Sequence, residues 1–344
     1  MVWLIPLCIA AVLILFVAAA GIAARVAFSR IFDRRYDGNP NLRYFKAEDF
    51  PDITAEPVSF ASDGGQMLRG FIYRPRMGPA AGLIVFSHGF GAGHHAYTTE
   101  IAFLARNGFA VLAYDGTGCV ASEGKFKGFD QGPVDVAAAL RFAREHEALK
   151  EFRRVVLAGH SWGAFSVCNA LDADERVAGA VAMCGFISSA SVMGQTGGGR
   201  FRPLVLLFTF FFRMYNRRRF GENANRSALA SLLKTEKDVL LLYGEKDKTV
   251  PFRYNGKKVA EEVSGRKNIV CRLFPSKAHN VYLTEAAEEY MHGAFAEIAA
   301  RTKKGGDVAR LYSSLDYGKM TEEDPEVMAL ILSFCRRIFS ECEN

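Results

Sequence analysis

Val155-Val156-Leu157-Ala158-Gly159-His160-Ser161-Trp162-Gly163 is the stretch on which the reading of this chain turns. Four consecutive apolar residues, two of them β-branched, suit a strand buried on both faces. The glycines at 159 and 163 leave room for a sharp turn, and Ala164 to Leu171 then carries helical spacing of apolar residues. A serine on such a strand-to-helix turn has its hydroxyl pushed outward, where it can act as a nucleophile. With 32 glycines among 344 residues, a Gly-x-Ser-x-Gly match can also be an ordinary tight turn, so the flanking sequence decides the matter.

Outward from the turn the pattern repeats. Gly82 to Phe86, Phe109 to Tyr114, Val177 to Met183, Val239 to Tyr243 and Ile269 to Phe274 read as further buried parallel strands. Thr98 to Asn107, Val134 to His146 and Arg253 to Val263 read as the helices between them, and Pro325 to Phe339 as a last amphipathic helix. Val58 to Phe60 and Leu68 to Tyr73 flank Asp63-Gly64-Gly65 as a hairpin. This order predicts an α/β fold, a doubly wound, mostly parallel sheet with an antiparallel start. The interval from Phe186 to Leu233 is too long for one helix. Holding Gly197-Gly198-Gly199 and the run Pro203 to Phe212, it reads as an inserted helical cap at about 186–233. Lys303-Lys304-Gly305-Gly306 opens a second insertion before the last helix.

From Val2 to Ala24 there is no charged residue. About 23 helical residues at ~1.5 Å rise cross a hydrocarbon layer of roughly 30 Å, so the chain is expected to carry an N-terminal transmembrane helix. A cleaved signal peptide is the competing reading, given Ala18-Ala19-Ala20-Gly21, but the basic leading region is missing and the apolar stretch is long for one. Arg25, Arg30, Arg34 and Arg35 follow the span with no Lys or Arg before it, which predicts a single-pass protein with its globular part in the cytoplasm. The expected division is an anchor at 1–27, a linker at 28–54 and a folded domain at 55–344. Seven cysteines, an odd number without C-x-x-C spacing, agree with a reducing compartment. The net charge of +6 comes from scattered clusters such as Arg217-Arg218-Arg219, which argues against nucleic acid as a partner.

A serine hydroxyl needs a histidine base, itself oriented by a carboxylate. On a strand-to-helix turn of this kind the order along the chain is serine, acid, histidine. Asp247 lies in the loop after Val239 to Tyr243, with Glu245 its nearest rival, and His279 follows the strand ending at Phe274. His94, His95 and His146 precede the serine, His160 is inside the turn, and His292 sits in a helical pattern. Two backbone N–H groups must meet the oxyanion that develops during acyl transfer. Phe90, in Ser87-His88-Gly89-Phe90-Gly91, and Trp162 are the candidates, with His88 as a brace of that loop.

The His88-Gly89-Phe90 loop, the serine turn, Tyr243 to Asp247 and Ala278-His279 together resemble the α/β-hydrolase superfamily over about Ala55 to Phe339. Tyr114-Asp115-Gly116-Thr117-Gly118 and Gly124-Lys125-Phe126 resemble dienelactone-hydrolase-like and serine-aminopeptidase-like members. The resemblance implies hydrolysis of an ester or amide through an acyl-serine, with no metal and no cofactor. The expected function is that of a membrane-anchored serine hydrolase acting on an ester or thioester, with a small-molecule or lipid-like acyl substrate. Phe208 and Phe211 of the aromatic cap are its expected substrate contacts. A serine peptidase of the aminopeptidase type would need a carboxylate cluster in the cap, where Glu222 stands alone. A non-catalytic binding module is the third reading, and the complete Ser, Asp and His set argues against it.

Overall fold

In strand β3, Leu83–Ser87, every position is buried and successive side chains enter different cores. Leu83 and Val85 join one apolar cluster, Ile84 and Phe86 the other. Because both faces of the sheet are covered, its central strands carry unbroken apolar runs. The computed structural model describes residues 4–197 and 202–340. Of the residues singled out in the sequence, Val2, Trp3, Gly198, Gly199 and Cys342 lie outside them.

The sheet has eight strands in the order β1-β2-β4-β3-β5-β6-β7-β8. They are β1 Ile53–Ala61, β2 Met67–Pro75, β3, β4 Ala110–Tyr114, β5 Val155–His160, β6 Val177–Met183, β7 Asp238–Gly244 and β8 Ile269–Phe274. The hairpin β1–β2 and the pair β2–β4 are antiparallel. All remaining pairs are parallel, as the sequence predicts. Helices α2 (Thr98–Arg106) and α12 (Pro325–Ser340) cover one face. On the other lie α3 (Gln131–Glu145), α4 (Trp162–Cys168) and α8 (Gly256–Val263). Helix α3 starts three residues earlier than its apolar spacing suggests, and α8 starts three residues later, after a short 3-10 turn at Phe252–Tyr254.

Between β6 and β7 the long interval folds as α5 (Ser189–Gly197), α6 (Arg202–Phe220) and α7 (Ala228–Lys234). After α9 (Glu285–Thr302), the second insertion becomes two short helices, α10 (Val308–Ser313) and α11 (Tyr317–Met320). Asp307 and Asp316 cap these by accepting the N–H groups of Arg310 and Lys319.

The N-terminal helix α1 spans Leu4–Ile31, 28 residues, long and apolar enough to cross a membrane. Most of it is exposed, but Ala24 and Phe28 are buried. The ring of Phe28 lies 4.9 Å from Phe208, 5.0 Å from Phe212 and 5.2 Å from Tyr215, all on α6. Phe32 follows at 5.8 Å from Phe126 and 6.0 Å from Phe129. The sequence reading ends the anchor at 27 and begins a linker there; the structure instead runs the helix to Ile31 and seats Phe28 and Phe32 in the core. Phe32 N–H donates to Phe28 O at 2.7 Å, which keeps the two rings together past the helix end, and their burial outweighs the polar character of the segment around them. The next residues are also docked, with bridges from Arg34 to Phe126 and from Tyr36 to Cys119.

Candidate active site

Ser161 sits at φ 56° and ψ −112°, between the end of β5 and the first residue of α4. A non-glycine residue held there costs on the order of 1–3 kcal/mol, so its surroundings must fix it. Its N–H donates to Met183 O at 2.8 Å and its carbonyl accepts from Phe165 N–H at 3.1 Å. The glycines on either side are required by space. A Cβ on Gly163 would lie 1.9 Å from Ser87 O, and one on Gly159 would lie 2.5 Å from Gly163 C. The turn is thus pressed against the end of β3, which brings the loop carrying Phe90 beside it.

The loops after β7 and β8 carry Asp247 and His279, the expected acid and histidine. They are stitched together by Glu245 N–H to Phe274 O and Lys246 N–H to Lys277 O, both at 3.0 Å. The buried Lys277 ammonium anchors the second loop on Leu283 O and on Asp324. Asp247, 5% exposed, uses one oxygen to accept the N–H groups of Thr249 and Val250 at 2.8 Å each. Its other oxygen accepts His279 Nδ1–H at 2.7 Å. This arrangement fixes the His279 tautomer and leaves Nε2 as the ring's basic nitrogen. Glu245 is exposed. No hydrogen bond joins the Ser161 hydroxyl to His279 among the described residues, a contact that in such sites often tightens only with substrate bound.

Neither Phe90 N–H, in the loop after β3, nor Trp162 N–H, at the start of α4, has a hydrogen-bond acceptor among the described residues. His88 braces this loop. Its Nε2 accepts Gly116 N–H at 2.8 Å and its Nδ1 donates to Gly89 O at 2.7 Å, while burial pushes its pKa down. With both nitrogens engaged it cannot serve as a base. Trp162 is held by its indole N–H on Phe129 O at 2.8 Å.

Sequence reasoning passed over two features. One is a chain of hydrogen bonds through His160. Gly89 N–H donates to Tyr97 Oη at 3.0 Å, Tyr97 Oη pairs with His160 Nδ1 at 2.9 Å, and His160 Nε2 pairs with the carbonyl of His279 at 3.0 Å. A carbonyl only accepts, so Nε2 carries the proton and Tyr97 donates to Nδ1. Burial, then the neighbouring His279, lowers the His160 pKa well below its ordinary value and keeps the ring neutral. The other feature is an aromatic wall, with Phe90 4.6 Å from Tyr36, 4.9 Å from Phe126 and 5.2 Å from Phe129. Its signal was present in Phe126 and Phe129, but Tyr36 comes from the segment read as a linker. Phe208 and Phe211, expected to touch substrate, make their contacts on α1: Phe208 with Phe28, and Phe211 against Gly21.

Two clusters bring metal-ligand residue types within 4.8 Å: His160, Cys184 and His279, and His94, His95 and Asp115. In the first, both nitrogens of His160 are already bonded and burial, then Asp247, keeps the Cys184 thiol protonated. In the second, Asp115 accepts both the backbone and ring N–H of His94, at 2.9 and 2.7 Å, and the N–H of Ala121 at 3.1 Å. His94 and Asp115 are thereby committed to holding loops.

A serine turn on a mostly parallel sheet, with a histidine–aspartate pair at the ends of its last two strands, defines a hydrolase-type α/β protein. The family model described as "Alpha/beta hydrolase family" matches residues 84–292, and the chain belongs to that family. Among solved structures it is similar to an esterase of Pyrococcus furiosus, at 15% identity and a TM-score of 0.56, covering 78% of this chain and 98% of that one. It is also similar to the acylaminoacyl peptidase of Pyrococcus horikoshii, at 16% and 0.52, covering 68% of this chain and 39% of that one. The α/β hydrolase GrgF from Penicillium sp. sh18 matches at 18% and 0.50, covering 73% and 97%. At such identities the likeness carries the fold alone. No curated protein matches the chain.

Proposed function

We propose that the protein is a membrane-anchored serine hydrolase that cleaves a carboxylic ester or thioester through an acyl-serine intermediate. The observation that carries this reading is the 2.7 Å contact of His279 Nδ1 with the buried Asp247, at the same edge of the sheet as the strained Ser161. His279 Nε2 takes the Ser161 proton as Oγ bonds to the acyl carbon, then delivers it to the departing alcohol or thiol as the acyl bond breaks. Water repeats the sequence: its proton goes to His279, its oxygen to the acyl carbon, and the serine leaves reprotonated. The Phe90 and Trp162 N–H groups receive the oxyanion.

Phe90, 36% exposed and backed by Tyr36 and Phe126, suits a hydrophobic acyl group and takes over the role first given to Phe208 and Phe211. α1 is the anchor, and the arginines after its uncharged stretch favour a cytoplasmic hydrolase domain. A fluorophosphonate probe should label the wild type and leave Ser161→Ala unlabelled; equal labelling of both overturns the assignment. Carbonate washing should leave the full chain with the membranes, and its release to the supernatant would overturn the anchor.

A further inference from the structure

A cavity of about 920 Å³ lies between α1 and α6. Leu13, Ile14, Val17 and Gly21 line it from α1, and Phe211 and Met214 from α6. Four charged residues complete the lining: Arg25, Arg218, Arg219 and Asp33. Arg219 is committed, since its guanidinium pairs with Asp33 and donates to Lys127 O at 2.9 Å. Arg25 and Arg218 have no ion-pair partner among the described residues. The site is therefore an apolar trough bordered by two free cations.

Its surroundings are equally apolar. Leu206, Phe210 and Met214, spaced four apart on α6, are 70%, 60% and 48% exposed. They continue the exposed apolar surface of α1, where Leu13 and Ile14 are 58% and 68% exposed. A helix with such a stripe and basic residues beside it suits the boundary between acyl chains and headgroups. From Leu13 to Arg25 the helix rises ~18 Å, close to half of a hydrocarbon layer of roughly 30 Å. That depth matches one leaflet, with the arginines at the level of its phosphates.

We infer that α1 and α6 form a binding site for an anionic phospholipid of the leaflet facing the hydrolase domain. An acyl chain fills the trough and the headgroup phosphate sits between Arg25 and Arg218. The inference rests on the reading of α1 as a membrane anchor. Bulk bilayer lipid would fill an uncharged groove without regard to headgroup; two unpaired arginines give the site a preference for negative charge.

The test reconstitutes the full chain in phosphatidylcholine vesicles with a trace of phosphatidylglycerol bearing a photoactivatable acyl chain. Crosslinks should map to α1 between Leu13 and Gly21 and to α6 around Phe211 and Met214. Unlabelled phosphatidylglycerol should compete roughly 30-fold better than phosphatidylcholine, as two arginines at an anionic headgroup would give. Changing Arg25→Gln with Arg218→Gln should abolish that preference, while Arg25→Lys with Arg218→Lys keeps most of it. Fluorophosphonate labelling of Ser161 in the same samples reports that the variants are folded. Equal competition by the two lipids, or crosslinks outside the trough, overturns the site and leaves the anchor standing. Loss of the chain from carbonate-washed vesicles overturns both.

Discussion

His160 Nε2 donates to the backbone carbonyl of His279 across 3.0 Å, so the residue before the serine holds the loop that carries the histidine. Through Tyr97 the same ring reaches Gly89, next to Phe90. Three loops from three strand ends are thereby tied to one neutral imidazole. Tyr97→Phe should break the tie at Gly89, and we expect kcat to fall about tenfold, some 1.4 kcal/mol of barrier, with KM nearly unchanged. His160→Gln, which can still donate to the carbonyl, should retain more activity than His160→Phe. If all three changes reduce activity only in step with melting temperature, the chain of bonds is structural.

For the triad, Ser161→Ala and His279→Ala should each reduce ester hydrolysis by about 10⁴-fold or more, because nucleophile and base act as a unit. Asp247→Asn should cost about 10³ to 10⁴ by disturbing the tautomer of His279. Glu245→Gln should cost little, since that side chain is exposed. Steady-state turnover of a p-nitrophenyl ester checks the ranking, and a reversal of Asp247 and Glu245 would reassign the acid.

The stabilising contribution of two buried carboxyls should fall as pH rises from weakly acid to weakly basic. Burial, with the nearby Glu323 adding to it, lifts Glu100 to about 8, and burial lifts Glu323 to about 7 despite Arg106 beside it. A carboxyl whose folded value exceeds its unfolded one contributes fully below about pH 4.5, and that contribution is lost as pH climbs through the folded value. Glu100→Gln should therefore raise the urea midpoint more at pH 8 than at pH 5. An equal effect of the substitution at both pH values would remove Glu100 from the explanation.

Truncation should discriminate between two positions in the N-terminal segment. A chain beginning at Ile22 keeps Phe28 and Phe32, each 1% exposed, whereas one beginning at Asp37 loses both. Removing a buried phenylalanine costs about 3–5 kcal/mol. The longer chain should melt near the full-length value in detergent, the shorter one many degrees lower or as an aggregate. Equal melting temperatures would show that the last turn of α1 is dispensable.

Much of this was legible in the sequence. The strands were visible because both faces of the sheet are covered, so Leu83 to Phe86 and Val155 to Ala158 appear as unbroken apolar runs. The positions of Ser161, Asp247 and His279 at strand ends followed from the same runs. What stayed hidden depends on partners distant in the chain. Phe28 and Phe32 look like the start of a linker until α6, some 180 residues later, supplies Phe208 and Phe212. Phe208 and Phe211 looked like a lid over substrate for the same reason, since an aromatic run says that burial is sought and not what will provide it. The role of His160 was illegible because it depends on the third loop, whose carbonyl carries no mark in the sequence.

Phe28, in the last turn of α1, and Phe32, just beyond its end, both belong to the interior of the hydrolase domain. An enzyme on a slack tether can pitch and roll at its mooring; one whose stem is part of its own interior cannot. With α1 seated in a bilayer, the face that carries Ser161 and Phe90 holds one altitude and one heading while the molecule drifts sideways. Compounds lying in the surface are then searched in two dimensions, and those that carry their scissile bond at that altitude are met repeatedly. A protease that cuts between Phe32 and Asp37 would not set free a working soluble form.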